Sequence, residues 1–317
     1  MTKQAVLFPG QGAQYPGMGA DFFNTFLSAK EIFQEADDLL GEALSRLIFE
    51  GSQAELMATN RAQIAIYVTS LAMYRTLQSQ FPRLTFDIAA GLSLGEYSAL
   101  TAASFLSFQE GVQIVRARGQ AMHEASMIVR GGMSVVLGMT AEQIKPHLHG
   151  KRVYVANVNC PGQVVISGTL EGLEEVTHSL KEAGAKRVLP LDVSGAFHSP
   201  LMESAKEEMR PLLERMKTGT LSMDVVMNVP GDFVSDEGLI RGYLVDQVTS
   251  PTLWERGIER MVGRGVEKAL EIGPGKTVAG MNRKMDLPTY TLTKVEDLDG
   301  ISEWEESLNH RGNVGAR

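Results

Sequence analysis

The run Asp87-Ile88-Ala89-Ala90-Gly91-Leu92-Ser93-Leu94-Gly95 constrains the fold more than any other stretch of the chain. Residues 87–91 read as a buried strand, and 96–103 carry a helical pattern. A buried strand that passes into a helix through so short a connection belongs to a parallel α/β sheet. The two glycines let the backbone turn sharply and leave Ser93 at the apex. Its hydroxyl then stands at a helix N-terminus, where free N–H groups can receive developing negative charge. G-x-S-x-G also occurs in plain strand-to-helix turns, so other residues must decide whether Ser93 is a nucleophile.

The same alternation governs much of the sequence. A first strand at 5–8 ends in the loop Pro9-Gly10-Gln11-Gly12-Ala13-Gln14, and helical patterns follow at 29–40, 63–77 and 109–127. From Met133 the rhythm changes to strand (133–139), helix (140–147), strand (153–158), strand (163–168), helix (170–183) and strand (187–191). That βαββαβ order is the signature of a small ferredoxin-like unit, entered through Gly131-Gly132. Afterwards α/β alternation resumes, with helices at 200–216, 239–247 and 252–262, a strand at 266–272 and a further helix from Lys276. The expected architecture is a large α/β domain (1–128 and 197–317) interrupted by an inserted ferredoxin-like domain (129–196), with the cleft between them as the ligand site. The polar stretch after Gly300 is expected to be partly disordered.

Composition narrows the function classes. At 317 residues, 44% apolar and 21% charged, the chain can bury a large core. No apolar run is long enough to span a bilayer and the N-terminus lacks a signal-peptide layout, so a cytoplasmic protein without a membrane partner is expected. The single Cys160 excludes an internal disulfide framework, and with six scattered histidines it offers no metal-ligand cluster. Between Asn159 and Pro161, without a local base, it reads as a small loop or core residue. A net charge of -8 argues against nucleic-acid binding. The basic pairs Lys186-Arg187 and Arg283-Lys284 read as solvated faces or as docking points for an acidic partner. Nucleotide motifs fail on inspection. The dinucleotide fingerprint would need a third glycine at Tyr15, and Gly275-Lys276-Thr277 would need an earlier P-loop glycine at Leu270.

A serine hydroxyl needs a base. His198 is the best candidate, at a junction where a strand-like run ends and Ser199-Pro200 opens a helix by N-cap and proline-first logic. His123, His147, His149, His178 and His310 fall in helical or tail patterns and read as surface residues. Arg116 and Arg118 point to different helix faces, so at most one joins a site, where a guanidinium fork would hold a carboxylate. A surface ion pair is the bland alternative for either. Gln11 follows the first strand, Gln247 ends a helix where it could orient a histidine, and Asn157 and Asn159 frame the small unit's strand pair. Turn chemistry is the alternative for each.

Together these segments resemble the malonyl-CoA:acyl-carrier-protein transacylases, including the discrete acyltransferases of polyketide assembly. The resemblance runs through Phe8-Pro9-Gly10-Gln11-Gly12, Gly91 to Glu96, Arg118-Gly119, Asn157-Val158-Asn159-Cys160-Pro161-Gly162-Gln163, Gly195-Ala196-Phe197-His198-Ser199, Gln247-Val248-Thr249-Ser250-Pro251 and Ile272-Gly273-Pro274-Gly275. It implies a hydrolase-like parallel-sheet α/β domain with the ferredoxin-like insert. Ser93 then matches the acyl-accepting nucleophile, His198 its base, and Arg118 the arginine that binds the malonyl carboxylate. Gln11 and Leu94, through their N–H groups, match the oxyanion hole, Gln247 the residue whose main chain orients the histidine, and Asn157 joins the substrate-binding set. Phe197 is similar to the version of its segment associated with malonyl rather than methylmalonyl selectivity. Leu92 departs from the pattern, since many members carry histidine there, and Cys160 stands where serine is common. The implied reaction moves malonyl from malonyl-CoA to the phosphopantetheine thiol of acyl carrier protein, with no bound cofactor, on a monomer, for fatty-acid or polyketide synthesis. The rival enzyme class is a thioesterase or serine hydrolase with Asp192 as its acid, and the non-enzymatic rival is an inactive scaffold of the same fold.

Overall fold

The computed structural model describes residues 3–302 and Trp304; the rest of the polar C-terminal stretch, with His310, lies outside the described residues. Among the described residues, ten strands form two sheets. They are β1 (Lys3–Phe8), β2 (Ile88–Gly91), β3 (Gly131–Leu137), β4 (Val153–Cys160), β5 (Gln163–Thr169), β6 (Arg187–Pro190), β7 (Asp224–Met227), β8 (Asp232–Val234), β9 (Val266–Ile272) and β10 (Thr289–Leu292).

The large sheet has the order β10-β9-β1-β2-β7-β8 and is parallel except for β8, which pairs antiparallel with β7 at one edge. Its central strand β1 shows why it is parallel. Ala5, Val6, Leu7 and Phe8 are all fully buried, so the strand has no wet face. Successive side chains leave on opposite sides: Val6 and Phe8 join the core of the long helices Thr59–Gln80 and Phe108–Ile128, while Ala5 and Leu7 pack with Trp254, Ile258 and Met261 of the helix Trp254–Gly263. No helix among the described residues is long and apolar enough to cross a membrane.

The second sheet is wholly antiparallel, in the order β4-β5-β3-β6, with helices Ala141–Ile144 and Leu170–Glu182 inserted in the βαββαβ sequence. Val136, Ile166 and Val188 face Leu173, Val176 and Leu180 of the longer helix, whereas Met133 and Val165 on the opposite face join the core of the large sheet's helices. The two sheets are also tied through the backbone. Val158 N–H donates to Thr252 O at 2.9 Å, and Thr252 N–H donates to Ala156 O at 2.9 Å.

Strands β7, β8 and β10 and the helices Ala20–Thr25, Leu44–Glu50 and Gln53–Met57 are additions to the sequence reading. All six are short, three to seven residues, too few for a periodic pattern to stand out. Two boundaries move for local reasons. The helix expected from residue 252 begins at Trp254 because Thr252 is held in the bridge to Asn157. The segment expected as helix from 200 opens as a 3₁₀ turn, Pro200–Met202, before the α-helix Glu203–Arg215.

Candidate active site

Gly91-Leu92-Ser93-Leu94-Gly95 carries β2 into the helix Gly95–Ala102, and the packing leaves no room for other residue types at its ends. A Cβ on Gly91 would lie 2.0 Å from the Gly95 backbone, and one on Gly95 would lie 2.3 Å from Phe8 O at the end of β1. Squeezed between them, Ser93 adopts φ 52°, in the left-handed region that side-chain-bearing residues rarely occupy. The Gly95, Glu96 and Tyr97 N–H groups are taken by the carbonyls of Leu92, Ser93 and Leu94 at 2.9–3.1 Å, so the turn consumes the donors beyond Leu94 and not that of Leu94 itself. Asn228, one residue past β7, clamps the elbow from outside: its Oδ1 accepts the Ser93 N–H at 2.7 Å and its Nδ2 donates to Gly91 O at 2.7 Å.

His198 reaches Ser93 from the other side, its Nε2 2.8 Å from Ser93 Oγ. It too has a left-handed backbone, with φ 57°. The adjacent turn is held by Ser199, whose Oγ donates to Ala196 O at 2.6 Å. His198 Nδ1 lies 2.8 Å from Gln247 O. A carbonyl only accepts, so Nδ1 carries the proton and Nε2 is left with its lone pair toward the serine hydroxyl. Burial, together with the Arg118 charge, pushes the imidazole pKa down to about 4, against the opposing backbone hydrogen bonds of Gln247 and Ser250. It is therefore a neutral base at neutral pH. The acid of a hydrolase-type triad is replaced here by a main-chain carbonyl, since that carbonyl and not Asp192 occupies Nδ1.

Arg118, on the helix Phe108–Ile128, is only 1% exposed, yet it ends beside Ser93. Nη2 donates to Ser93 Oγ at 3.1 Å and to Gln247 Oε1 at 2.9 Å, Nη1 donates to Gln63 Oε1, and the guanidinium carbon stands 5.5 Å from the Tyr97 ring centroid. Each of those acceptors is neutral, and Nε is buried without a partner. Desolvation lowers the guanidinium's pKa, opposed by Tyr97 and Glu96. Arg116, two residues earlier, turns away and donates to Leu40 O at 3.1 Å, as the helical spacing requires.

Gln247 does three jobs at once. Its main chain holds His198, its Oε1 receives Arg118, and its Nε2 donates to Ser93 O at 2.9 Å and to Glu96 Oε2 at 2.5 Å. Glu96 Oε1 in turn accepts the Asn228 N–H at 2.5 Å. Burial pushes the Glu96 carboxyl up to about 8, opposed by the Asn228 N–H, the Arg118 charge and the Gln247 side chain.

The other expected positions are placed as follows. Gln11 lies in the loop after β1, with Nε2 3.2 Å from Thr59 Oγ1, itself 3.3 Å from Ser194 Oγ. Leu94 is fully buried beside Ser93, and the buried Phe197 ring covers Gly195, where a Cβ would come within 2.7 Å of it. Asn157 is not hydrogen-bonded to this cluster; its Nδ2 donates to Thr252 Oγ1 at 2.6 Å across the junction of the two sheets. Leu92 packs with the core on the Ala5 and Leu7 side of the large sheet, and Cys160 is buried in that core. Gln63, Glu96 and Asn228 escaped the sequence reading. The available signal was a polar residue inside an apolar run: Gln63 sits within Ala62 to Ile66, and Glu96 within Leu94 to Ala99.

The chain is similar over nearly its whole length to known acyltransferases. The family model for the acyl transferase domain matches residues 6–284. A malonyl CoA-acyl carrier protein transacylase of Bacillus subtilis is 42% identical over 306 residues, covering 94% of this chain and 96% of its own. The malonyl CoA-acyl carrier protein transacylase of Clostridium perfringens superposes with a TM-score of 0.92 at 35% identity, covering 98% of this chain and 100% of that one. A malonyl-transacylase solved in complex with its type II PKS acyl-carrier protein gives a TM-score of 0.89 at 36% identity, covering 94% and 98%. With a serine, a neutral imidazole and a buried guanidinium meeting at one point of such a fold, the chain belongs to the malonyl CoA-acyl carrier protein transacylase family of acyltransferases.

Proposed function

We propose that this chain transfers malonyl from malonyl-CoA to the phosphopantetheine thiol of acyl carrier protein through a covalent malonyl-Ser93. The carrying observation is the buried Arg118 guanidinium, whose Nη2 lies 3.1 Å from the nucleophilic oxygen with only neutral acceptors around it. A buried cation of this kind is matched by an anionic acyl group and mismatched by a neutral one. In the first half-reaction His198 Nε2 takes the Ser93 proton as Oγ attacks the thioester carbonyl. The N–H groups of Gln11 and Leu94 receive the tetrahedral oxyanion, the C–S bond breaks, and the imidazolium returns its proton to the leaving thiolate. In the second, the carrier thiol gives its proton to His198 and attacks the acyl carbonyl, and Ser93 Oγ leaves with that proton. Arg118 holds the free carboxylate throughout, Gln247 keeps the imidazole in its working tautomer, and Phe197 narrows the space beside the acyl group.

The groups invoked all belong to one chain, and we place it in a cytoplasmic monomer without a bound cofactor, with residues 129–196 as the inserted domain and Asn157 joining the two units. Fatty-acid and polyketide carriers present the same thiol, so either pathway is served by the same chemistry.

The test is mass spectrometry of intact protein after brief exposure to malonyl-CoA, with and without holo acyl carrier protein. A malonyl adduct on Ser93 that persists in buffer and is discharged by the carrier is expected; rapid loss to water without any carrier would make the chain a thioesterase instead. Arg118→Ala should depress malonyl loading about 10- to 100-fold relative to acetyl loading, as loss of a hydrogen bond to a charged group predicts. Arg118→Lys should fall in the same direction because the fork is lost.

A further inference from the structure

Resting on that function, we infer that Glu96 is a positioning residue that sets acyl-group selectivity by holding the Gln247 amide in the one orientation that serves Arg118. A primary amide is a donor at one end and an acceptor at the other. On one side of Gln247 stand two acceptors, Glu96 Oε2 at 2.5 Å and Ser93 O at 2.9 Å. On the other stands Arg118 Nη2 at 2.9 Å, which can only donate. Glu96 thus turns the Gln247 oxygen toward the guanidinium and its nitrogen toward the nucleophile's own carbonyl. The same residue's main chain carries His198, so an amide fixed by Glu96 steadies both the clamp and the base.

Glu96 has a second arm. Its Oε1 receives the Asn228 N–H, and the Asn228 side chain pins Ser93 N and Gly91 O. Both Glu96 neighbours, a main-chain N–H and an amide NH₂, can only donate to it, so the geometry fits the carboxylate form although burial raises its pKa. At 1% exposure, no water stands in for a lost partner. The two arms lead to different outcomes. The arm through Gln247 reaches the group that distinguishes a malonyl from a neutral acyl chain, whereas the arm through Asn228 reaches only the elbow that every acyl group uses.

Glu96→Gln keeps the shape and breaks the pattern. Its NH₂ must face either the Asn228 N–H or the Gln247 NH₂. With the Asn228 bond kept, Gln247 has to rotate, which aims its NH₂ at Arg118 and its oxygen at the Ser93 carbonyl. The clamp then loses an acceptor, and a donor lacking a free carboxylate feels that less. Asn228→Asp, which keeps the acceptor for Ser93 N–H and removes the donor to Gly91 O, disturbs the elbow alone.

The experiment is single-turnover loading of Ser93 from malonyl-CoA and from acetyl-CoA by wild type, E96Q and N228D, with melting temperatures taken in parallel. E96Q is expected to lower the malonyl-to-acetyl ratio about tenfold or more, chiefly through KM for malonyl-CoA. N228D is expected to slow both donors by a common factor and leave the ratio unchanged. Glu96→Asp, which withdraws from Gln247 while keeping a carboxylate, should lower the ratio in the same direction and serves if E96Q does not fold. A wild-type ratio in the Glu96 variants, or an equal ratio shift in N228D, overturns the inference. Failure of the wild type to load malonyl at all overturns the proposed function instead, and the wild-type arm separates the two.

Discussion

Two glycine-rich turns leave the strands that flank β1 in the large sheet, and only one of them builds a reaction site. Gly91-Leu92-Ser93-Leu94-Gly95 follows β2; Gly273-Pro274-Gly275-Lys276-Thr277 follows β9 and opens the helix Thr277–Asn282. Both are packed too tightly for a side chain, for a Cβ on Gly273, at φ 139°, would lie 2.5 Å from Ser70 Oγ and 2.8 Å from the Pro9 ring. Each also has a buried glutamate. Glu271 spends its carboxylate locally, accepting Val278 N–H at 3.0 Å and Ala279 N–H at 2.7 Å just along the chain. Glu96 reaches Asn228 and Gln247, more than a hundred residues away. A sharp turn supplies a place for a reactive group; distant residues converging on it supply the chemistry.

The comparison is broken most directly by exchanging residues at the two apices. Ser93→Ala should remove the acyl adduct and cut turnover roughly 10⁶-fold, while Lys276→Ala, exposed in the second turn, should leave turnover unchanged in the same assay. Next in size is pH. His198 must be neutral to accept the serine proton, so kcat/KM of the free enzyme should hold steady through mildly acid pH and fall as pH drops through about 4. Stability follows the same group. The unfolded imidazole, at its ordinary 6.5, binds a proton that the folded one refuses. Stability is thus complete above 6.5 and declines as pH falls toward 4, by about 3 kcal/mol for the full shift, in denaturant titrations. The smallest effect belongs to the second turn. Glu271→Gln leaves one of two helix N–H groups without its acceptor and should lower stability by about 1–2 kcal/mol, seen as a lower Tm with kcat/KM unchanged.

The two turns also divide what could be read from sequence. Both were visible as glycine punctuation after apolar strands, because the steric demand is local and writes itself into adjacent residues. His198 was legible for a related reason: a serine and proline after it mark where a helix starts. Spacing alone narrowed the site arginine to Arg116 or Arg118, and only the family resemblance singled out Arg118, since its depth depends on how the helices Thr59–Gln80 and Phe108–Ile128 pack. Asn228 left no trace, because its role is fixed by β7 lying beside β2, a pairing between residues far apart in the chain. Strand β7 is itself only Asp224–Met227, too short for an alternation to be recognised.

Arg118 has one more effect, on the molecule at rest. A cation sealed in the interior, hydrogen-bonded only to amides and a hydroxyl and with Glu96 as its nearby carboxyl group, gains from an anionic partner. Recognition and folding then draw on the same interaction: ligand that favours the native chain raises the melting point, so a thermal scan doubles as a binding assay.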